Sequence, residues 1–189
     1  FVDEFKKDRL FDKSMSNFIS FKIGAQISNW PIKNIFNTIE YNKTNPMTYL
    51  HPVSATTFES NRFNLGHYMR DNSEVINYEI SYKLKNRIQI FFEYMYAMHA
   101  EDNEYSYSNT FHPSSIPILE NKTWDNRSIK LKINKEVKKG IYLTFEYINS
   151  LIKGYDNETN TANYYLNKFT PAFYRGKNNT FSTSIEIGF

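Results

Sequence analysis

The sequence predicts an all-β fold: an antiparallel transmembrane β-barrel, with seven to eight strands in these residues. Three observations lead there. Apolar residues recur with a period of two along most of the chain, the pattern of strands with one apolar face. The connections alternate short and long, as in membrane barrels with brief turns at one end and long loops at the other. The last residue, Phe189, ends an alternating strand, a terminal aromatic of the kind read by the outer-membrane barrel assembly machinery.

Taken in order, Phe1–Phe5 alternates and reads as the end of an ascending strand. Ile19, Phe21, Ile23, Ala25 and Ile27 alternate strictly with polar or small residues, and Asn29-Trp30-Pro31 breaks the run as a turn. A second strand covers Ile35 to Asn42. Residues 44–73 show no period and read as a long external loop. Ile76 to Leu84 and Ile88 to Met98 form a hairpin about Lys85-Asn86-Arg87. A second external loop spans about 100–122. Ile129 to Ile133 and Ile141 to Tyr147 pair across a turn at Glu136–Gly140. A third, about 149–178, is mostly loop, and Phe181 to Phe189 is the final strand.

If Phe189 is periplasmic, seven strands count back from it, and an even barrel needs one more ascending strand before the first. Phe1–Phe5 supplies only its end, against the ~9–11 residues a tilted strand needs to cross. The expectation is one barrel region over 1–189, the C-terminal portion of a larger barrel. Phe1–Lys7 also lacks the charged segment and apolar run of a signal peptide.

Composition agrees with a barrel and excludes several classes. The chain has 189 residues, and aromatics make up 17 % of it, too many for a disordered chain. Mean hydropathy is −0.62 and no run of ~18 apolar residues exists, so there is no transmembrane helix. A net charge of +3 is too mild to argue for nucleic acid, and the absence of cysteine removes disulfides and thiolate metal sites.

The two faces of these strands differ. Lys22, Glu40, Glu79, Glu93, Lys130, Lys132, Glu146 and Glu186 lie on one, with Ile, Phe, Tyr and Leu on the other. A charge on the lipid face costs ~2–4 kcal/mol at mid-depth, which assigns the charged face to a lumen. Two readings of it are open: a salt-bridged filling that stiffens the wall, or a polar path for a solute. Trp30, Tyr41, Tyr78, Tyr96, Trp124 and Tyr147, near strand ends, fit interfacial girdles.

No catalytic or metal motif stands out. The chain contains no HExxH, P-loop, GxGxxG or GxSxG. His67 and Asp71 are spaced i, i+4 but fall in a loop, and Ser60 or Ser73 beside His67 is a weak hydrolase pair. The expectation is a non-enzyme without cofactor or metal.

One stretch is more specific. Glu40-Tyr41-Asn42 leads to Pro46-Met47-Thr48-Tyr49-Leu50-His51, then Leu65-Gly66-His67, then Asn72 and Glu74 entering a strand. This pattern resembles the capsule assembly protein Wzi family, in particular its gliding-motility RemB-like branch. Phe1–Phe5 resembles a strand end upstream of it, and Thr170–Lys177 with the last strand resembles the family C-terminus. The chain departs at Phe58 to Phe63, where that branch carries Tyr- and His-type residues, which weighs against a sugar role there. The resemblance implies a larger, non-enzymatic barrel in the bacterial outer membrane that serves surface polysaccharide assembly or attachment, with a link to gliding motility. Its partners would be outer-membrane lipid, the assembly machinery, polysaccharide and other outer-membrane proteins. Within the loop, Tyr49, His51, His67 and Tyr68 are suited to stacking on sugar rings, and Arg62 and Arg70 to pairing with anionic sugars. The other reading of this loop is an inward plug. Further alternatives for the protein are a structural subunit of a secretion, motility or uptake complex, and a channel.

Overall fold

The computed structural model describes residues 2–4, 6–10, 17–50, 58–60, 63–102 and 116–188. It is all-β with one short helix. The strands are β1 (Val2–Glu4), β2 (Phe18–Ser28), β3 (Ile35–Thr44), β4 (Glu59–Ser60), β5 (Phe63–Asn64), β6 (Ser73–Lys83), β7 (Ile88–His99), β8 (Trp124–Lys138), β9 (Ile141–Gly154) and β10 (Gly176–Ile187), with helix α1 (Ala162–Phe169) before the last. One antiparallel sheet carries the order β1-β2-β3-β6-β7-β8-β9-β10, and β4 and β5 form a separate small hairpin. Seven of its strands are long, and β1 adds three residues against the start of β2.

The sheet does not close on itself among the described residues; β10 pairs only with β9. Its long edge strands β2 and β10 run in the same direction, because an odd number of antiparallel strands separates their outer sides. Among the described residues, no helix is long and apolar enough to cross a membrane.

The three short connections lie at one end. Asn29 and Asn34 take positive φ in the first, where the Asn34 amide donates to Asn29 Oδ1 at 2.8 Å. Asn86 and Arg87 take φ of 64° and 58° in the second. Gly140, at φ 76°, turns the third. Asn tolerates this left-handed region and Gly adopts it at no steric cost, which fixes where these hairpins reverse.

Register sorts the side chains into two faces. One carries the row Ile23–Tyr41–Ile76–Tyr96 and, lower, Phe92–Leu131–Tyr147–Phe181. Apolar residues on this face remain in the open: Ile23, Ile39, Leu131, Phe145, Phe181 and Ile185 are between 45 and 79 % exposed. The other face is polar along most of its height. At the end away from the short turns it changes character: Val75, Ala97, Trp124 and Ile152 are buried there.

The core therefore sits on the polar face, at the loop end. Met69 from the loop before β6 and Leu166 and Phe169 from α1 pack onto that small apolar area. A second cluster joins Phe18, Met47 and Ile116, with Leu50 against it. The third connection is thus not mostly loop: β9 runs to Gly154 and α1 follows.

Candidate functional site

The cap at the loop end is built from short polar residues and one tyrosine. Ser20, Thr44, Ser73, His99 and Trp124 form a row across five strands, all buried. Tyr49 descends onto it. Its hydroxyl donates to Ser20 Oγ at 2.7 Å, which lies 3.0 Å from Thr44 Oγ1, and accepts from the His67 amide at 3.1 Å. Gly66 lies flat on the ring: a Cβ there would stand 2.3 Å from Tyr49 Cζ. The Thr48-Tyr49 and Leu65-Gly66-His67 segments, separate in sequence, are thus one packed unit.

Asp71 holds the same unit from the other side. Its Oδ1 accepts from the Tyr49 amide at 2.9 Å. Burial raises its carboxyl to about 7, although the Tyr49 and Thr48 amides act to lower it. His67 is shifted down, chiefly by burial and then by the Lys22 charge. Its Nδ1 accepts the Met69 amide at 3.4 Å. His67 and Asp71 therefore face different partners, despite their spacing. Ser73 Oγ donates to the Arg70 carbonyl at 2.9 Å and not to His67.

A second set of polar contacts ties the remaining connections together. Trp124 Nε1 donates to Thr170 Oγ1 at 2.8 Å, and Lys168 Nζ lies 2.8 Å from Asp102. His99 is buried against the Phe169 ring, with its Nε2 3.6 Å from Asp102 Oδ1. Thr123 Oγ1 reaches the carbonyls of His99 and Ala100. Asp125 accepts from Lys122 at 2.7 Å and from the Tyr155 hydroxyl at 2.9 Å. Burial acts to lower the Lys122 ammonium, but its bonds to Asp125 and Tyr155 leave it raised overall.

Below the cap, the charged residues named from the sequence share the polar face. Lys22 pairs with Glu40 at 3.0 Å and Lys130 pairs with Glu93. Lys132 lies over the Phe91 ring at 4.2 Å, opposite Glu146 in register. Glu186 stands opposite Tyr142 at the turn end. Glu79 lies opposite Glu93 and lines an open cavity of ≈ 270 Å³ with Thr38, Glu40, Asn77 and Glu93. Two separate ion pairs thus join four of these eight residues, and among the described residues no ion pair joins Glu79, Lys132, Glu146 or Glu186.

Of the loop residues, Tyr49 is 5 % exposed and faces inward, while Tyr68 is 65 % exposed and tilts against His67 at 4.4 Å. Arg70 is exposed, at a φ of 61°. His51, Arg62 and Phe189 lie outside the described residues. The sequence reading missed His99, Asp71, Trp124 and Thr170 as cap residues. It also missed Phe173 and Tyr174, an exposed aromatic pair 4.3 Å apart beside the start of β10. Among the described residues, no group of three His, Asp or Glu side chains could hold a metal.

Comparison with family models, curated proteins and solved structures gives no match. The chemistry of the two faces therefore carries the functional argument. No nucleophile–base pair is assembled among the described residues. What the arrangement offers is a wall with one apolar face, a polar face capped by its own loops, and exposed aromatics around the cap.

Proposed function

We propose that this chain forms part of the wall of a bacterial outer-membrane β-barrel, non-catalytic and without cofactor, whose loop end holds surface polysaccharide at the cell. One observation carries the membrane reading. The helix and loops pack on the polar face, while the face lined by Ile, Leu, Phe and Tyr is left bare. In water that face would be the one buried, because contiguous apolar patches beyond a few hundred Å² are rare on soluble monomers. In a bilayer the preference inverts, and apolar-out, polar-in is the rule. Along β7 the run Ile88, Ile90, Phe92, Tyr94, Tyr96 and Met98 covers ~33 Å of strand at ~3.3 Å per residue. Tilted by ~40°, that gives roughly the 25 Å apolar band of such barrels.

The polysaccharide part rests on the resemblance and on the exposed aromatics. Tyr68 on His67, and Phe173 on Tyr174, present ring faces at the loop end. Such faces stack on sugar C–H surfaces. The Tyr49–Gly66 unit has a different role here, as the pin that seats the loop.

The test is electrophoretic mobility of the detergent-extracted protein, with and without boiling, beside capsule retention in a deletion strain. A folded barrel migrates differently before boiling, and loss of the protein releases capsule from the cell. Release of the protein by alkaline carbonate would end the membrane reading. Unchanged capsule retention would end the polysaccharide one.

A further inference from the structure

The short-turn end of the sheet carries an unbalanced charge. Across residues 28–36, 81–91, 132–146 and 182–188, bounded at one register level, there are eight Lys or Arg side chains and three carboxylates, Glu136, Glu146 and Glu186. Glu136 is already engaged with Arg87 at 3.4 Å. Among the described residues, none of Lys33, Lys85, Lys135, Lys138 and Lys139 pairs with a carboxylate. The loop end differs: there Lys168 meets Asp102, and Lys122 meets Asp125.

Apolar side chains are interleaved with these cations at the same end. Trp30 and Ile32 project from the first turn at 66 % and 59 % exposure, and Leu84 and Val137 are also exposed. All four sit at or beside the turns, where the bare apolar face of the wall ends. A soluble polyanion needs the cations but gives the exposed Trp and Ile nothing to enter. An interface of hydrocarbon meeting phosphate satisfies both, since Trp settles at the boundary and each nearby Lys or Arg is attracted to an anionic lipid surface.

We propose that the short-turn rim binds anionic phospholipid headgroups, with Trp30 and Ile32 at the edge of the acyl region and Lys33, Lys85, Lys138 and Lys139 pairing with phosphates. The inference rests on the membrane reading above and adds a lipid selectivity to it. The rim then fixes the height of the wall in the leaflet, because the cations cannot rise into hydrocarbon and Trp30 cannot sink into water.

The test uses the full chain reconstituted in mixed vesicles of phosphatidylcholine and phosphatidylglycerol. Bromines are placed on the acyl chains of one lipid or the other. Trp30 and Trp124 are the two tryptophans, and the W30F variant supplies the signal of Trp124 alone. Quenching of Trp30 is expected to be at least about twofold stronger with brominated phosphatidylglycerol. In the K33Q/K85Q/K138Q/K139Q variant, exposed throughout and free of ion pairs, the two bromolipids quench equally. Equal quenching in the unaltered protein overturns the proposal. So does capture of an acidic protein by the unaltered rim, lost in the Gln variant, when the two lipids quench equally. Mobility before boiling, measured in pure phosphatidylcholine, reports the barrel separately. A barrel that forms there without lipid preference sinks only this inference. Preferential binding to phosphatidylglycerol vesicles without any barrel signature leaves the rim in place and removes the wall reading.

Discussion

Asp71 joins two loop segments through the Tyr49 amide, and its protonation sets how firmly it does so. Its carboxyl titrates near 7 when folded, against 3.8 for the ordinary group. The folded chain thus keeps a proton that the unfolded chain has lost. The contribution of Asp71 to stability is fullest below pH ~4, declines as pH rises from there to about 7, and is flat above. His67 opposes this. Its lowered value means that charging it below its usual 6.5 costs stability as pH falls. The two are separated by D71N, which imitates the protonated carboxyl and still offers Oδ1 to the amide. The variant is expected to melt several degrees higher than the unaltered protein at pH 8 and at nearly the same temperature at pH 3. A constant difference across that range would remove Asp71 as the titrating group. At the same scale, G66A forces a methyl group into the Tyr49 ring. It should cost ~1–3 kcal/mol, as overpacking does, read as faster exchange of the His67 amide.

Helix α1 is the element that seals the cap, and its seat is Gly154. A Cβ at Gly154 would stand 2.1 Å from the Ala162 carbonyl oxygen. That is backbone against backbone, so G154A must lift the first turn of α1 off β9. It should expose Trp124, seen as a red shift of its emission, while the sheet signal in circular dichroism stays. T161A removes the hydroxyl that accepts from the Tyr164 amide and should cost ~1 kcal/mol. The seven long strands were legible in the sequence because period-two alternation recurring in seven segments has few competing explanations, although β8 and β9 run well beyond the Ile129 to Ile133 and Ile141 to Tyr147 read there. The helix was legible too but was passed over. Ala162, Tyr165, Leu166 and Phe169 follow the i, i+3, i+4, i+7 spacing, Thr161 caps them, and Pro171 stops them. A helix of eight residues inside a 30-residue polar stretch contributes too little period to stand out. The cap itself was less accessible. Ser20, Thr44, Ser73 and His99 look like any polar-face residues, and only strand register puts them in one buried row.

At the scale of the molecule, the edges β2 and β10 run in the same direction. An all-antiparallel wall therefore closes only through an odd number of further strands, with β1 marking the direction of the one beside β2. The assignment of the two faces can be tested without knowing that number. Leu131 lies mid-height on central strand β8, opposite Phe92 and Tyr147, and 45 % exposed. Its neighbour Lys130 points to the other face and pairs with Glu93. In water, L131R would be an ordinary surface change within ~0.5 kcal/mol. Facing lipid at mid-depth it costs ~2–4 kcal/mol. K130Q gives the reverse ranking: it loses a partly exposed ion pair worth ~1 kcal/mol or less in either setting. Urea unfolding of both variants in lipid vesicles compares them directly. L131R should lower the midpoint markedly and K130Q only slightly. If L131R is as mild as K130Q, the bare apolar face does not meet lipid, and it must be covered by protein instead.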